Sequence, residues 1–460
     1  MSTSAAFTNA PRFESEPADP TPLAQPLNFE FSGVTAKNRF LKAPLTERIS
    51  SWNYKDVASR GIPSKTLINL YRRWGEGGYG VIVTGNTFFE PEHLEAMGNP
   101  IIPKDAPFEG PRFEAFKEMA EVSKKEGSLI LIQVSHAGRQ VWDAIQPNPI
   151  SASDVQIEKQ VMGMNFGKPR PATQEDIDGI IEGYAHTAEY CQKAGYSGIQ
   201  VHSAHGYLLA QFLNPETNKR TDKYGGSIEN RARILAEIAA AVRARTGPGF
   251  VMGIKVNSTE FQDKNFQAEE AKKLCKVLED ATFDFVEISG GSYEDMGFLH
   301  NKRDSTKKRE AYFFEFAQLI APNFTKTKTY LVGGLRTVGA MVKCLGTVDA
   351  VAVGRPACQE SDFAKKILSG EIKGAIIQKG DPGDYLMNTI AAEQLLTRSV
   401  SGMHMKQIGK DEISADLSQE EHFQHYVQDV GAWGADQADN ADLNKYGWPE
   451  YSGKVAHYSN

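Results

Sequence analysis

Two histidines and a tyrosine stand within six residues, His202-x-x-His205-x-Tyr207, directly after the apolar run GIQVH. Imidazoles can hydrogen-bond a carbonyl or phenolate oxygen, and a phenol can give a proton. The metal-binding alternative is weak, because H-E-x-x-H is absent and no carboxylate or cysteine completes the set. The bland alternative for Tyr207 is an ordinary buried tyrosine with a satisfied hydroxyl. Other polar residues also end apolar runs. Lys255 closes FVMGIKV, and as a buried cation it needs a facing anion unless it snorkels to the rim. Gln133, in LILIQV, offers a donor and an acceptor to an amide-like ring edge, or caps a strand. Gly333-Gly334 and Gly354-Arg355 follow two further runs. Glycine turns leading into helices can cradle a phosphate, and Arg355 adds a bidentate donor; simple helix-packing turns are the alternative.

These residues need a frame that brings them to one place. Eight apolar runs alternate with helical patterns over residues 39–370, at 39–45, 80–85, 129–134, 198–202, 250–256, 285–289, 329–333 and 350–354. Several are continuous rather than alternating, as expected of parallel strands buried on both faces. The clearest helix follows Thr173, with Asp176 as an approximate capping box and apolar residues from Ile177 to Cys191 at helical spacing. Other helical patterns cover 64–77, 112–126, 228–246, 267–281, 310–322, 337–345 and 361–369.

Eight strand–helix units predict a TIM (β/α)8 barrel, whose sites lie at strand C-terminal ends. A doubly wound open sheet is disfavoured by the lack of G-x-G-x-x-G after the first strand. The segments 135–173, 203–227 and 290–309 are long enough to build the mouth. Residues 1–27 read as a disordered leader, 28–370 as the barrel, and 371–460 as a C-terminal extension. In that extension a helix is expected over 386–400, followed by a polar stretch with aromatic residues.

The 460 residues and 24% charged content are ordinary for a globular chain. A net charge of −7 lacks the footprint of a general nucleic-acid binder. The four cysteines form no C-x-x-C, which disfavours zinc ribbons, iron–sulfur clusters and a disulfide framework and points to a reducing, cytoplasmic setting. No apolar run approaches the roughly 18 residues of a membrane span, and no secretory leader pattern opens the chain.

The segment HSAHGYLLAQFLNPETNKRTDKYGGSIENRARI (202–234) closely resembles the signature of the Old Yellow Enzyme family of NAD(P)H:flavin ene-reductases. KNRFLKAPLTE (37–47), IQVSHAGRQ (132–140), REAYF (309–313), VGGLRT (332–337) and AVGRP (352–356) match in the same order. The resemblance spans about 28–370 and implies noncovalent FMN at the barrel mouth, with NADPH or NADH as reductant. It assigns Gly333, Gly334, Gly354 and Arg355 to the phosphate. Ala43, Pro44, Leu45 and Thr46 would run along the flavin edge, with Gly85 beside the ring and Gln133 at the pyrimidine edge. Lys255 would stand near N1/O2. His202 and His205 would hold the carbonyl oxygen of an activated alkene, and Tyr207 would protonate the carbon opposite the delivered hydride. Lys255 stands where many relatives have arginine, Thr46 where many have cysteine, and His205 where one branch has asparagine.

A metal-free barrel lyase or isomerase on a phosphorylated substrate is the competing expectation, with Lys255 as a Schiff-base amine. A colourless protein that takes up no FMN would favour it. A silent barrel with a partner-binding tail is the third. The expected partners are small molecules, in a monomer or homodimer.

Overall fold

The computed structural model describes residues 6–160, 163–257, 268–289, 314–379 and 390–458. Eight parallel strands close into a barrel: β1 (Phe40–Lys42), β2 (Val81–Phe88), β3 (Leu129–Ser135), β4 (Gly198–Ser203), β5 (Val251–Asn257), β6 (Phe285–Ser289), β7 (Lys328–Val332) and β8 (Ala350–Val353). Each strand pairs with the next, and β8 pairs with β1. All eight coincide with the apolar runs of the sequence, because strands covered on both faces leave almost no position for solvent.

Helices α1 (Lys65–Glu76), α2 (Gly110–Lys124), α3 (Gln174–Lys193), α4 (Leu208–Leu213), α5 (Arg233–Thr246), α6 (Ala268–Asp280), α7 (Val338–Cys344) and α8 (Arg355–Gln359) follow the strands. The capping box of α3 is complete. Thr173 Oγ1 accepts from the Asp176 amide at 3.1 Å, and Asp176 accepts from the Thr173 amide at 2.7 Å. Of the expected helix 310–322, the described part is helical from 314 to 320. Residues 290–309 lie outside the described residues, and so does the REAYF segment.

Two expectations change. Residues 6–27 are ordered against the barrel: Phe7 and Leu23 are buried, and Arg12 pairs with Glu360 at 2.7 Å. Their acidic, proline-containing composition hides a few apolar anchors. Leu27–Asn28 then pairs with Thr35–Ala36, and Leu27, Phe29 and Ala36 join the inner barrel cluster with Leu41, Val83 and Phe285.

The C-terminal extension holds two helices, α9 (Ile390–Gly409) and α10 (Glu420–Ala438). Helix α9 runs nine residues past its expected end. Its later positions Met403, Met405 and Ile408 are buried, which stabilises a helix where the local sequence looks merely polar. Phe423, Tyr426 and Val430 give α10 a helical stripe that packs with Val400, Met403 and Leu417. Asn69 donates to the Gly409 carbonyl at 2.9 Å, and Arg73 binds Asp411 at 2.7 Å, tying α9 to α1.

Candidate active site

Strand β4 ends in a tight turn. His205 has φ 58° and Gly206 φ 74°, so two consecutive residues take the left-handed region. That conformation is strained for a histidine, at a cost of about 1–3 kcal/mol. Gln140 holds the turn by donating to the His205 carbonyl at 2.9 Å. The turn folds three rings onto one another. The His202 ring lies edge-on to Tyr207 at 4.8 Å and to His205 at 5.2 Å between centroids. His205 Nε2 reaches Ser289 Oγ at the end of β6, 3.0 Å away.

His202 is buried, and burial followed by the nearby Lys255 charge holds its imidazole well below the ordinary histidine value. It is therefore neutral near pH 7. The Ala204 amide donates to His202 Nδ1 at 3.3 Å, which leaves the ring proton on Nε2. Nε2 is thus a neutral donor.

Inside the barrel, a chain of buried polar groups crosses four strands. Gln133 donates to Gln200 at 2.8 Å, Gln200 donates to Glu287 at 2.7 Å, and Lys255 donates to Glu287 at 2.9 Å. Strand register makes these groups neighbours: Gln133 sits opposite Gln200, and Lys255 stands between His202 and Glu287. The anion that Lys255 requires is Glu287. The snorkelling alternative fails, because Lys255 is only 3% exposed.

A cavity of about 260 Å³ opens beside this layer. Ala43, Pro44, Leu45, His205, Lys255, Gly333, Gly334, Gly354 and Arg355 all line it. Gly333 and Gly334 have φ 127° and 70°, conformations that side-chain-bearing residues rarely take. Helices α7 and α8 are short, so any anion affinity at this end would rest on glycine amides and Arg355 more than on a long helix dipole.

The profile of the NADH:flavin oxidoreductase / NADH oxidase family matches residues 22–373. The chain belongs to the Old Yellow Enzyme family. It is 45% identical over 439 residues to the NADH-dependent flavin oxidoreductase nadA of Aspergillus parasiticus, covering 95% of this chain and 97% of that one. It is 31% identical over 355 residues to the NADH-dependent flavin oxidoreductase iliE of Hypocrea jecorina, covering 73% and 86%. The Old Yellow Enzyme homologue of Zymomonas mobilis superposes with a TM-score of 0.62 at 22% identity, covering 77% and 94%, and supports the shared fold. The protein is accordingly an NAD(P)H-dependent flavin oxidoreductase whose flavin is FMN.

The residues present fit an Old Yellow Enzyme cofactor. The cavity joins an amide-and-arginine end to a lysine end, as a phosphate-bearing flavin requires. Gln133, Thr46, Gly85, His202 and Tyr207 do not line that cavity themselves. Gln133 joins it through the Gln200–Glu287 chain. Gly85, within β2, lies against Leu45 and Glu47, the residues on either side of Thr46, and leaves no room for a Cβ. His202 and Tyr207 connect to it through His205.

Sequence reading missed the groups behind that edge. Glu47 is buried and accepts from the Gly85 amide at 2.8 Å and from the Tyr71 hydroxyl. Burial raises its carboxyl above the usual range. Lys42 lies over the Trp74 ring at 3.7 Å, and burial brings its ammonium down to about 8. Gln200 and Glu287 were also missed. Their signal was a polar residue in the middle of the apolar runs GIQVH and FVEIS.

Glu90, His93 and His136 bring potential metal-ligand atoms within 4.8 Å of one another. The Gly138 amide donates to His136 Nδ1 at 3.0 Å, so a neutral ring keeps its proton on Nε2 and donates to Glu90 at 3.1 Å. Hydrogen bonding thus satisfies the pair directly. Among the described residues no helix is long and apolar enough to cross a membrane.

Proposed function

We propose that this flavin oxidoreductase reduces the C=C bond of α,β-unsaturated carbonyl compounds. Bound FMN would take a hydride from the nicotinamide at N5 and pass it to the β-carbon of the alkene. The chain's own residues supply the rest. His202 donates from Nε2 to the substrate carbonyl oxygen, with His205 beside it. That donor, with the His205 ring alongside, would stabilise developing enolate charge, as an oxyanion hole does. Tyr207 gives its proton to the α-carbon. Lys255, balanced by Glu287, would face the flavin pyrimidine, and Gln133 would bind its edge. Gly333, Gly334, Gly354 and Arg355 would hold the phosphate, while Ala43, Pro44, Leu45, Thr46 and Gly85 would run along the ring.

The observation that carries this reading is the convergence of His202, His205 and Tyr207 beside the Lys255–Arg355 cavity. The lyase alternative loses its nucleophile, because a Schiff base needs a free amine and Lys255 is held by Glu287. Both fungal relatives are NADH-dependent flavin oxidoreductases, which supports NADH as the preferred reductant.

A panel of enones, enals and nitroalkenes assayed anaerobically with NADH and with NADPH tests the proposal. Saturated products, with faster turnover on NADH, are expected. Nucleotide oxidation only by oxygen, with every alkene recovered unchanged, would overturn it.

A further inference from the structure

The cavity beside Lys255 and Arg355 is not walled by the barrel alone. Val400, Ser401 and His404 of α9 line it, together with Phe13 and Gln378. Positions 400, 401 and 404 share one helix face. The segment 414–415 ties α9 to α8. Ser414 donates to the Cys358 carbonyl at 3.1 Å, and Gln359 donates to the Ala415 carbonyl at 3.2 Å. The Ala415 amide in turn donates to Gln407 at 3.1 Å.

His404 is 1% exposed, yet its Nε2 has no partner among the described residues. The Ala415 backbone lies beside the ring. Burial brings the imidazole down to about 3, so it is neutral. A neutral imidazole carries one donor and one acceptor nitrogen. An orphaned buried Nε2 is costly in either tautomer, so a polar partner is called for. A sugar-alcohol hydroxyl both donates and accepts, and satisfies Nε2 in either tautomer. A phosphate dianion only accepts.

We propose that His404 Nε2 shares a hydrogen bond with a ribityl hydroxyl of FMN, so that the C-terminal extension forms part of the cofactor site. This rests on FMN occupying the cavity as described above. Arg355 and the glycine turns then read the phosphate, and α9 reads the chain between phosphate and ring.

Apoprotein of the full chain is titrated with FMN, riboflavin and lumiflavin, which carry the whole tail, the ribityl chain alone, and neither. His404→Ala is expected to weaken FMN and riboflavin by the same factor, about tenfold, the scale of one buried hydrogen bond. Lumiflavin affinity stays unchanged. Arg355→Ala weakens FMN alone. Should the alanine variant fail to fold, His404→Gln and His404→Met replace it. Glutamine keeps a donor and an acceptor and retains affinity, whereas methionine of similar size loses it. Unchanged FMN affinity in His404→Ala or His404→Met, or an equal loss for lumiflavin, overturns the proposal. Failure of the unaltered apoprotein to bind any flavin would instead strike the cofactor reading itself.

Discussion

Lys255 and Glu287 face one another across adjacent barrel strands at 2.9 Å, both closed off from solvent. A buried pair adds little net stability, but breaking it leaves an uncompensated charge. Glu287→Gln should lower apoprotein stability by about 3 kcal/mol. It should also raise the flavin reduction potential, because Lys255 then presents unbalanced positive charge to the reduced, anionic ring. Chemical denaturation and spectroelectrochemistry check both. An unchanged potential would mean that Lys255 does not face the flavin.

Acid should destabilise the protein through its buried imidazoles. His136, His202 and His404 are all lowered, mainly by burial. Unfolded, each takes up a proton below about pH 6.5; folded, each resists until lower pH. The unfolded state therefore binds more protons, and stability present above 6.5 is lost as pH falls. For His404, with a folded value of about 3, the loss from pH 8 to 5 is about 2 kcal/mol. His404→Gln should flatten the apoprotein stability profile by that amount over that range. An unaltered slope would contradict the burial argument.

The extension also reaches the other end of the site. Trp448 donates its indole N–H to the Thr46 carbonyl at 3.1 Å, and its ring packs on Gly402 of α9. A Cβ at Gly402 would fall 2.0 Å from that ring. Gly402→Ala should cost about 1–3 kcal/mol by overpacking and shift the flavin absorbance spectrum as Thr46 moves. Thermal melts and visible spectra provide the readout, and a variant indistinguishable in both would show that Trp448 does not position Thr46.

Removal of residues 401–460 should give insoluble or flavin-free protein, since Met405 and Ile408 share the core cluster of Trp74 and Leu70. A soluble, yellow truncation would leave the tail without a structural role.

The barrel was legible because its eight strands carry continuous apolar runs with few competing patterns. The site was legible where glycines, histidines and a tyrosine follow those runs. What stayed hidden was tertiary. Glu287 and Gln200 look like interruptions until strand register sets them beside Lys255 and Gln133. His404 and Trp448 lie about 200 and 400 residues in sequence from the groups they accompany, His205 and Thr46, and no local spacing relates such residues. The N-terminal residues read as disordered because their few anchors, Phe7 and Leu23, find partners only in the folded chain.

Tyr207→Phe should keep reduction by nicotinamide intact while slowing alkene reduction by about a hundredfold or more, the usual scale of a positioned acid. Rapid-mixing of the two half-reactions separates them. Equal effects on both, or on neither, would remove Tyr207 as the donor.

The most direct measurement follows two hydrogens. Anaerobic turnover of 2-cyclohexenone with 4-deuterated NADH in ordinary water should place deuterium at the β-carbon and solvent hydrogen at the α-carbon of cyclohexanone. Oxidised nucleotide with unreduced cyclohexenone would contradict the assignment of this site to alkene reduction.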